Sequence, residues 1–269
     1  KEGGPAMVRS SHMKQTSHFQ LNQYEASDRI LHGDFNSDNQ KIDAALAAAR
    51  RRLAFEELYF LTLGLRLLRA RRTTVKGKTC AAVDMTPFFG ALPFSLTGAQ
   101  VRAVDDILRD MTAERPMNRL VHGDVGSGKT MVAAAGIYFA AKNGLQAALM
   151  APTEILAEQH YHTLAPLLEK LGVRCALLTA STKAKTRRSI LEQLAVGEID
   201  LAIGTHALLS PDISYQNLGL VVTDEQHRFG VHQRAALGAK GENPHLLVMS
   251  ATPIPRTLAL MIYGDLDVS

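Results

Sequence analysis

Gly123-Asp124-Val125-Gly126-Ser127-Gly128-Lys129-Thr130 places glycines at both ends of a short loop and follows them with a lysine and a hydroxyl. Such a loop can turn its backbone N–H groups inward around the phosphates of a nucleotide, with Lys129 reaching the β- and γ-phosphates and Thr130 holding Mg2+. That chemistry needs a strand before the loop and a helix after it. Leu120-Val121-His122 reads as the end of a buried strand, and Met131 to Ala141 as an Ala-rich helix stopped at Asn143-Gly144. The helix N-terminus, with its unpaired N–H groups and positive dipole end, would then lie under the phosphates.

A second group of chemical residues follows about a hundred positions later. Leu220-Val221-Val222-Thr223-Asp224-Glu225 is an apolar strand that delivers two carboxylates at its carboxyl end, where ligands of open α/β sheets bind. Asp224 can hold Mg2+ directly or through water, and Glu225 can polarise the water that attacks the γ-phosphate. An Asp-Glu pair after a strand could equally cap a helix; the upstream phosphate loop is what gives the pair its meaning.

From Phe94 onward the elements that must position these residues alternate as strand and helix, which predicts an α/β domain with a mainly parallel sheet. Thr97 caps a predicted helix over Gly98 to Met111. Strands are predicted at 119–123, 146–150, 173–179, 199–204, 218–223 and 246–249, and helices at 154–171, 183–194 and 256–263. Upstream, Ala54, Leu58, Leu61, Leu65 and Leu68 form one apolar stripe of a predicted long helix over Ile42 to Arg71. Residues 1–13, ending in Ser-His-Met, read as the residue of an expression tag. Residues 14–40 read as an irregular lead-in, 41–91 as a basic helix and linker, and 92–269 as the α/β domain, with Pro87 and Pro93 punctuating the passage between them.

Composition narrows the function classes. The chain has 269 residues, 46% of them hydrophobic, and two cysteines in unrelated segments, which suits a globular, cytoplasmic α/β protein rather than a disulfide framework. No run approaches the ~20 apolar residues of a membrane span. Net charge is only +4, but Lys41, Arg50, Arg51, Arg52, Arg66, Arg69, Arg71, Arg72, Lys76 and Lys78 crowd one segment against Asp43, Glu56 and Glu57. A basic helix of this kind can follow a nucleic-acid backbone or be a solvated face. His12, His18 and His32 have no metal-ligand spacing.

Asp224-Glu225-Gln226-His227 and Ser250-Ala251-Thr252 resemble two motifs of superfamily 2 helicases, and Leu96 to Gln100, Pro152 to His160 and Gly204 to Leu209 fall in the order such enzymes carry theirs. The strings 224–231 and 252–258, and the basic segment 49–58, are similar to the RecG family of bacterial branch-migration helicases. The resemblance implies a RecA-like motor domain preceded by a long helix, using ATP and Mg2+ on branched DNA. It implies that Gln100 recognises adenine, that His227 with Ser250, Ala251 and Thr252 couples phosphate state to DNA, and that Pro152, Thr153, Gly204, Thr205 and His206 touch the nucleic-acid backbone. Helix N-termini and loop N–H groups suit phosphate oxygens and carry little sequence information.

The same resemblance implies a wedge before this segment and a second motor domain, with an arginine finger, after it; neither is among these residues. Without the finger, hydrolysis could fall by about three to five orders of magnitude. The expectation is therefore the first motor domain of a longer, monomeric translocase that remodels stalled forks and Holliday junctions. The alternatives are a transcription-repair coupling translocase, against which Gln226 speaks, a small-molecule kinase, which would not explain Pro152 to His160, and a nucleotide-gated interaction module without catalysis.

Overall fold

The computed structural model describes residues 14–15, 22–23, 32–72, 76–224, 243–251 and 267–269. The chain divides into two compact units, Lys1–Arg66 and Leu67–Ser269. In the first, β1 (Lys14–Gln15) pairs antiparallel with β2 (Asn22–Gln23); α1 runs His32–Arg72, so its residues from Leu67 on belong to the second.

The helix starts well before Ile42, so residues 32–40 are not the irregular lead-in expected of them. Gly33, Asn36, Ser37 and Asn39 are weak helix formers. They occupy the first turns, and the Ala-rich run after Asp43 supplies the propagation. Lys41 pairs with Asp38 at 3.6 Å. Of the predicted stripe, Ala54 and Leu58 are exposed and Leu61 is half-buried. The side chains of Leu65 and Leu68 lie outside the described residues.

The second unit is built on seven parallel strands: β3 (Asn118–His122), β4 (Gln146–Met150), β5 (Cys175–Leu178), β6 (Leu201–Gly204), β7 (Leu218–Thr223), β8 (His245–Ser250) and β9 (Asp267–Val268), in the order β5-β6-β4-β7-β8-β3-β9. Helices α2 (Thr86–Ala91), α3 (Gly98–Met111), α4 (Lys129–Lys142), α5 (Glu154–Lys170) and α6 (Ala184–Ala195) flank it. The central strands β4 and β7 are buried throughout, which is why they read as unbroken apolar runs. Successive residues alternate between two cores: Ala147 and Leu149 face the α3–α4 side, Ala148 and Met150 the α6 side. This is the parallel α/β arrangement expected from the alternating pattern, and the RecA-like domain that the resemblance implies.

Two short elements escaped the sequence. In α2, Pro87 sits in the first turn and Phe88 is fully buried, its ring 5.6 Å from that of Tyr138 on α4. A six-residue helix has too little periodicity to show, and its proline reads as punctuation. With Cys80 and Met85 also in the core, the unit reaches upstream of the Leu92 boundary. Strand β9 pairs with β3 through only two residues. Its register is held by tertiary bonds: Ser269 N–H donates to the Leu120 carbonyl and its own carbonyl accepts from His122, both at 3.0 Å. Arg119, nearly buried, pairs with Asp110 at 2.7 Å and Asp106 at 3.3 Å. The Ser269 hydroxyl, then Arg119 and Arg109, hold the Asp106 carboxyl below its ordinary range. Burial pushes the Cys80 thiol up to about 11 and that of Cys175 to about 12, so both are inert packing residues at neutral pH. The predicted helix at 256–263 lies outside the described residues.

His245, fully buried at the start of β8, joins three segments: its Nδ1 accepts from Met117 N–H at 2.9 Å and its Nε2–H donates to the Lys78 carbonyl at 2.7 Å. Burial lowers its proton affinity below that of a free histidine. The unfolded chain therefore takes up a proton that the folded chain refuses. Stability contributed by neutral His245 is full above about pH 6.5 and falls as pH drops below it, with a slope approaching one proton, about 1.4 kcal/mol per pH unit. Denaturant midpoints measured from pH 7.5 to 5.0 should show this slope, and His245→Gln should flatten it; a variant as steep as the parent would assign the slope to other groups.

Candidate nucleotide-binding site

The site is assembled along the carboxyl edge of the sheet. β3 ends at His122 and releases the loop 123–128, whose turns need positive φ at Gly126 (81°) and Gly128 (80°). A Cβ at Gly128 would lie 2.3 Å from Gln100 Nε2, so the Gln100 amide would also have to give up its place beside the loop. Lys129 opens α4. Its ammonium donates to the carbonyls of Gly123 (2.6 Å) and Asp124 (2.8 Å), which aims it across the loop. Thr130 follows, half-buried, and no acidic residue occupies the first turn of α4. An unneutralised helix end at the mouth of a glycine-rich loop is suited to an anion. Val125 stands 87% exposed at the loop tip.

The loop is tied on both sides. Gly123 N–H donates to the carbonyl of Ser250, the buried last residue of β8, at 3.2 Å. On the other side Gln100 binds it: Nε2 donates to the Ser127 carbonyl at 2.8 Å while Oε1 accepts from Thr97 N–H at 2.8 Å. Thr97 Oγ1 in turn accepts from Gln100 N–H, closing a capping box on α3. Both ends of the amide expected to read adenine are thus engaged by the chain itself. Beside it, Phe89, Leu92, Pro93, Phe94, Leu96 and Val101 line an apolar hollow.

Asp224 stands at the end of β7, its N–H donating to the Met150 carbonyl at 3.0 Å. With β8 between β7 and β3, the acid and the phosphate loop are separated by two strand spacings, roughly 10 Å. Its Oδ2 is 2.6 Å from Nε2 of His160, a buried residue of α5. Sequence reasoning gave His160 no role. The available signal was one imidazole in the apolar stripe Ala157, His160, Leu164, Leu168, all buried.

The residues expected to meet nucleic acid lie on the far side of Asp224, at the ends of β4 and β6. Thr153 is exposed and caps α5, its Oγ1 accepting from Leu156 N–H at 3.3 Å. Pro152 is half-buried, and His206 is exposed at the start of a 3-10 turn, His206–Leu209. Thr205 is buried, and Gly204 is packed so that a Cβ would lie 2.1 Å from the Leu178 carbonyl oxygen. Gly204 therefore has a packing reason to be glycine whatever it touches. Along the edge the order is Gly204-Thr205-His206, Pro152-Thr153, Asp224, Ser250-Ala251, then the phosphate loop. Glu225, His227 and Thr252 lie outside the described residues. Among the described residues no three His, Cys, Asp or Glu side chains form a metal cluster, and no helix is long and apolar enough to cross a membrane.

Residues 97–261 match the family model of the DEAD/DEAH box helicases. The ATP-dependent DNA helicase RecG of Synechocystis sp. is 53% identical over 231 residues, 83% of this chain and 27% of that protein. The RecG of Bacillus subtilis is 50% identical over 228 residues, 84% of this chain and 33% of that protein. A solved structure of RecG bound to a three-way DNA junction superposes with a TM-score of 0.75 at 47% identity, over 83% of this chain and 30% of that one. The chain thus spans about a third or less of the relatives it matches.

Proposed function

The chain belongs to the DEAD/DEAH box helicase family, and on that premise we propose that it is the first motor domain of an ATP-driven DNA translocase that remodels branched DNA in recombination and repair. The protein acts in the cytoplasm as a monomer. The observation that carries the reading is the order along one sheet edge: the glycine-rich loop, Ser250, Asp224, then Thr153 and His206, exposed just beyond the buried ends of β4 and β6. Nucleotide chemistry at one end and backbone phosphates at the other would share the strands between them.

In this reading the loop 123–128 and the N-terminus of α4 wrap the nucleotide phosphates, with the Gly123 and Ser127 N–H groups holding the loop's own shape, and Lys129 neutralises the β- and γ-phosphate charge. The hollow beside Gln100 offers its apolar wall to adenine, while Gln100 holds the loop in shape. Thr130 and Asp224 supply a hydroxyl and a carboxylate, the hard oxygen donors that suit Mg2+. Bound there, the ion would neutralise charge across the phosphate oxygens. Glu225 orients the attacking water, and His227 with Ser250, Ala251 and Thr252 carries the change to the DNA side. Thr153 and His206 meet nucleic-acid phosphates with the α5 N-terminus behind them.

The test is nucleotide affinity of this chain, and ATP turnover of a chain extended through the second motor domain that the resemblance implies, each measured without and with a three-way DNA junction. Affinity for Mg-nucleotide together with turnover that rises with the junction supports the reading. Robust turnover indifferent to any DNA, or no nucleotide binding at all, overturns it.

A further inference from the structure

We propose that His160 is a positioning residue that links DNA engagement at the start of α5 to the metal-holding carboxylate of Asp224. The inference rests on the nucleotide-site reading above and adds to it a residue that reading does not use.

Three observations converge. The Nε2–H of His160 donates to Asp224 Oδ2 at 2.6 Å, with only 11% and 14% of the two side chains exposed. The bond is short and well shielded, as a hydrogen bond to an ionised acceptor is. The stripe to which His160 belongs is otherwise apolar, Ala157, Leu164 and Leu168, and a leucine would satisfy packing there without the cost of burying an imidazole. What a leucine cannot do is fix the orientation of a carboxylate.

The third observation is continuity. Thr153, exposed and facing the DNA side of the edge, is the N-cap of the helix that carries His160. The two are seven residues apart on one hydrogen-bonded ladder, about 10 Å along the axis. The one proline of α5, Pro166, lies beyond His160, so the backbone donor it removes falls outside this stretch. Ala157, Leu164 and Leu168 fasten the helix to the core. A phosphate drawn to Thr153 and the helix N-terminus would shift or steady α5 as a unit, and His160 would pass that displacement to Asp224 without an intervening loop. Partners that orient a metal ligand in this way typically contribute 10- to 100-fold in metal affinity.

The experiment measures the Mg2+ concentration that half-maximally tightens binding of a fluorescent ADP, without and with a three-way DNA junction. The chains compared are the parent, His160→Ala, His160→Gln and His160→Asn. His160→Ala should raise the Mg2+ requirement about tenfold and leave affinity for metal-free ADP unchanged. His160→Gln, whose amide N–H reaches about as far as Nε2, should recover most of the loss, and His160→Asn, which is too short, should not. The junction should lower the Mg2+ requirement of the parent, and by linkage Mg2+ added to the ADP-saturated chain should tighten the junction by the same factor. In His160→Ala that factor should collapse toward one. If the alanine variant does not fold, as read by circular dichroism, the Gln and Asn variants carry the comparison between themselves.

An unchanged Mg2+ requirement in folded His160→Ala or His160→Asn overturns the inference. So does an equal loss of metal-free and Mg-bound affinity, which would mean that His160 only packs. A parent chain whose ADP binding ignores both Mg2+ and Lys129→Ala overturns the nucleotide-site reading, and the inference with it.

Discussion

Lys129→Ala is expected to lower turnover by about 10²- to 10³-fold, the range seen when a preorganised electrostatic contact to the reacting group is removed. Affinity should fall with it, because a charge-assisted hydrogen bond contributes roughly 1.5–3 kcal/mol, or 10- to 150-fold in binding. The fold should not notice the change. Among the described residues the ammonium donates to the carbonyls of Gly123 and Asp124, and both can be satisfied by water at the loop surface. Isothermal titration with Mg-ATP, alongside a denaturation curve, checks both halves. Nucleotide affinity kept within twofold of the parent would mean that the loop 123–128 is a glycine-rich turn and no phosphate site.

Gly204→Ala should be the costliest single substitution on the DNA side of the edge, and its cost should appear as stability. At the end of β6 the residue is paired with Met150 of β4 and Leu178 of β5. A Cβ would meet the Leu178 carbonyl oxygen at 2.1 Å and Leu208 Cγ at 3.1 Å. Backbone cannot turn aside as a side-chain end can, so β5 must move off the sheet edge. Overpacking of this kind costs about 1–3 kcal/mol and more where backbone shifts; about 3 kcal/mol is expected here. Urea denaturation measures it. A Gly204→Ala chain as stable as the parent but deficient in DNA binding would return Gly204 to the role of a direct contact.

How much of the site was legible follows from which residues act through local chain geometry. The form of the 123–130 loop was readable because strand, glycine turn, lysine and helix are contiguous, and the structure keeps them in that form, with Gly126 and Gly128 at positive φ. Thr97 and Thr153 were readable as caps because a cap bonds within three residues of itself. Gln100 was placed beside the loop by resemblance. That its amide is divided between Thr97 and Ser127 depends on α3 lying against the loop, which no spacing conveys. The role expected of Gly204 came from its neighbours in a motif, whereas the clash that requires glycine comes from β5, some 25 residues away in the chain.

The sequence by itself determined the class of the molecule and the local form of its candidate site: a parallel α/β domain, a glycine-rich loop between strand and helix, and a carboxylate at a strand end. Each of these is written in periodicity or in contiguous residues. It also ordered the elements correctly from β3 to β8. The tertiary structure alone decided what meets across the sheet. The strand order β4-β7-β8-β3 sets Ser250 between acid and loop, and it brings His160 to Asp224 from sixty-four positions away. It also recruits β9 and α2, elements too short to carry a period, through bonds to Leu120 and His122 and through the burial of Phe88. Short elements and long-range pairs are stabilised by partners distant in the chain, and local propensity holds no record of a distant partner.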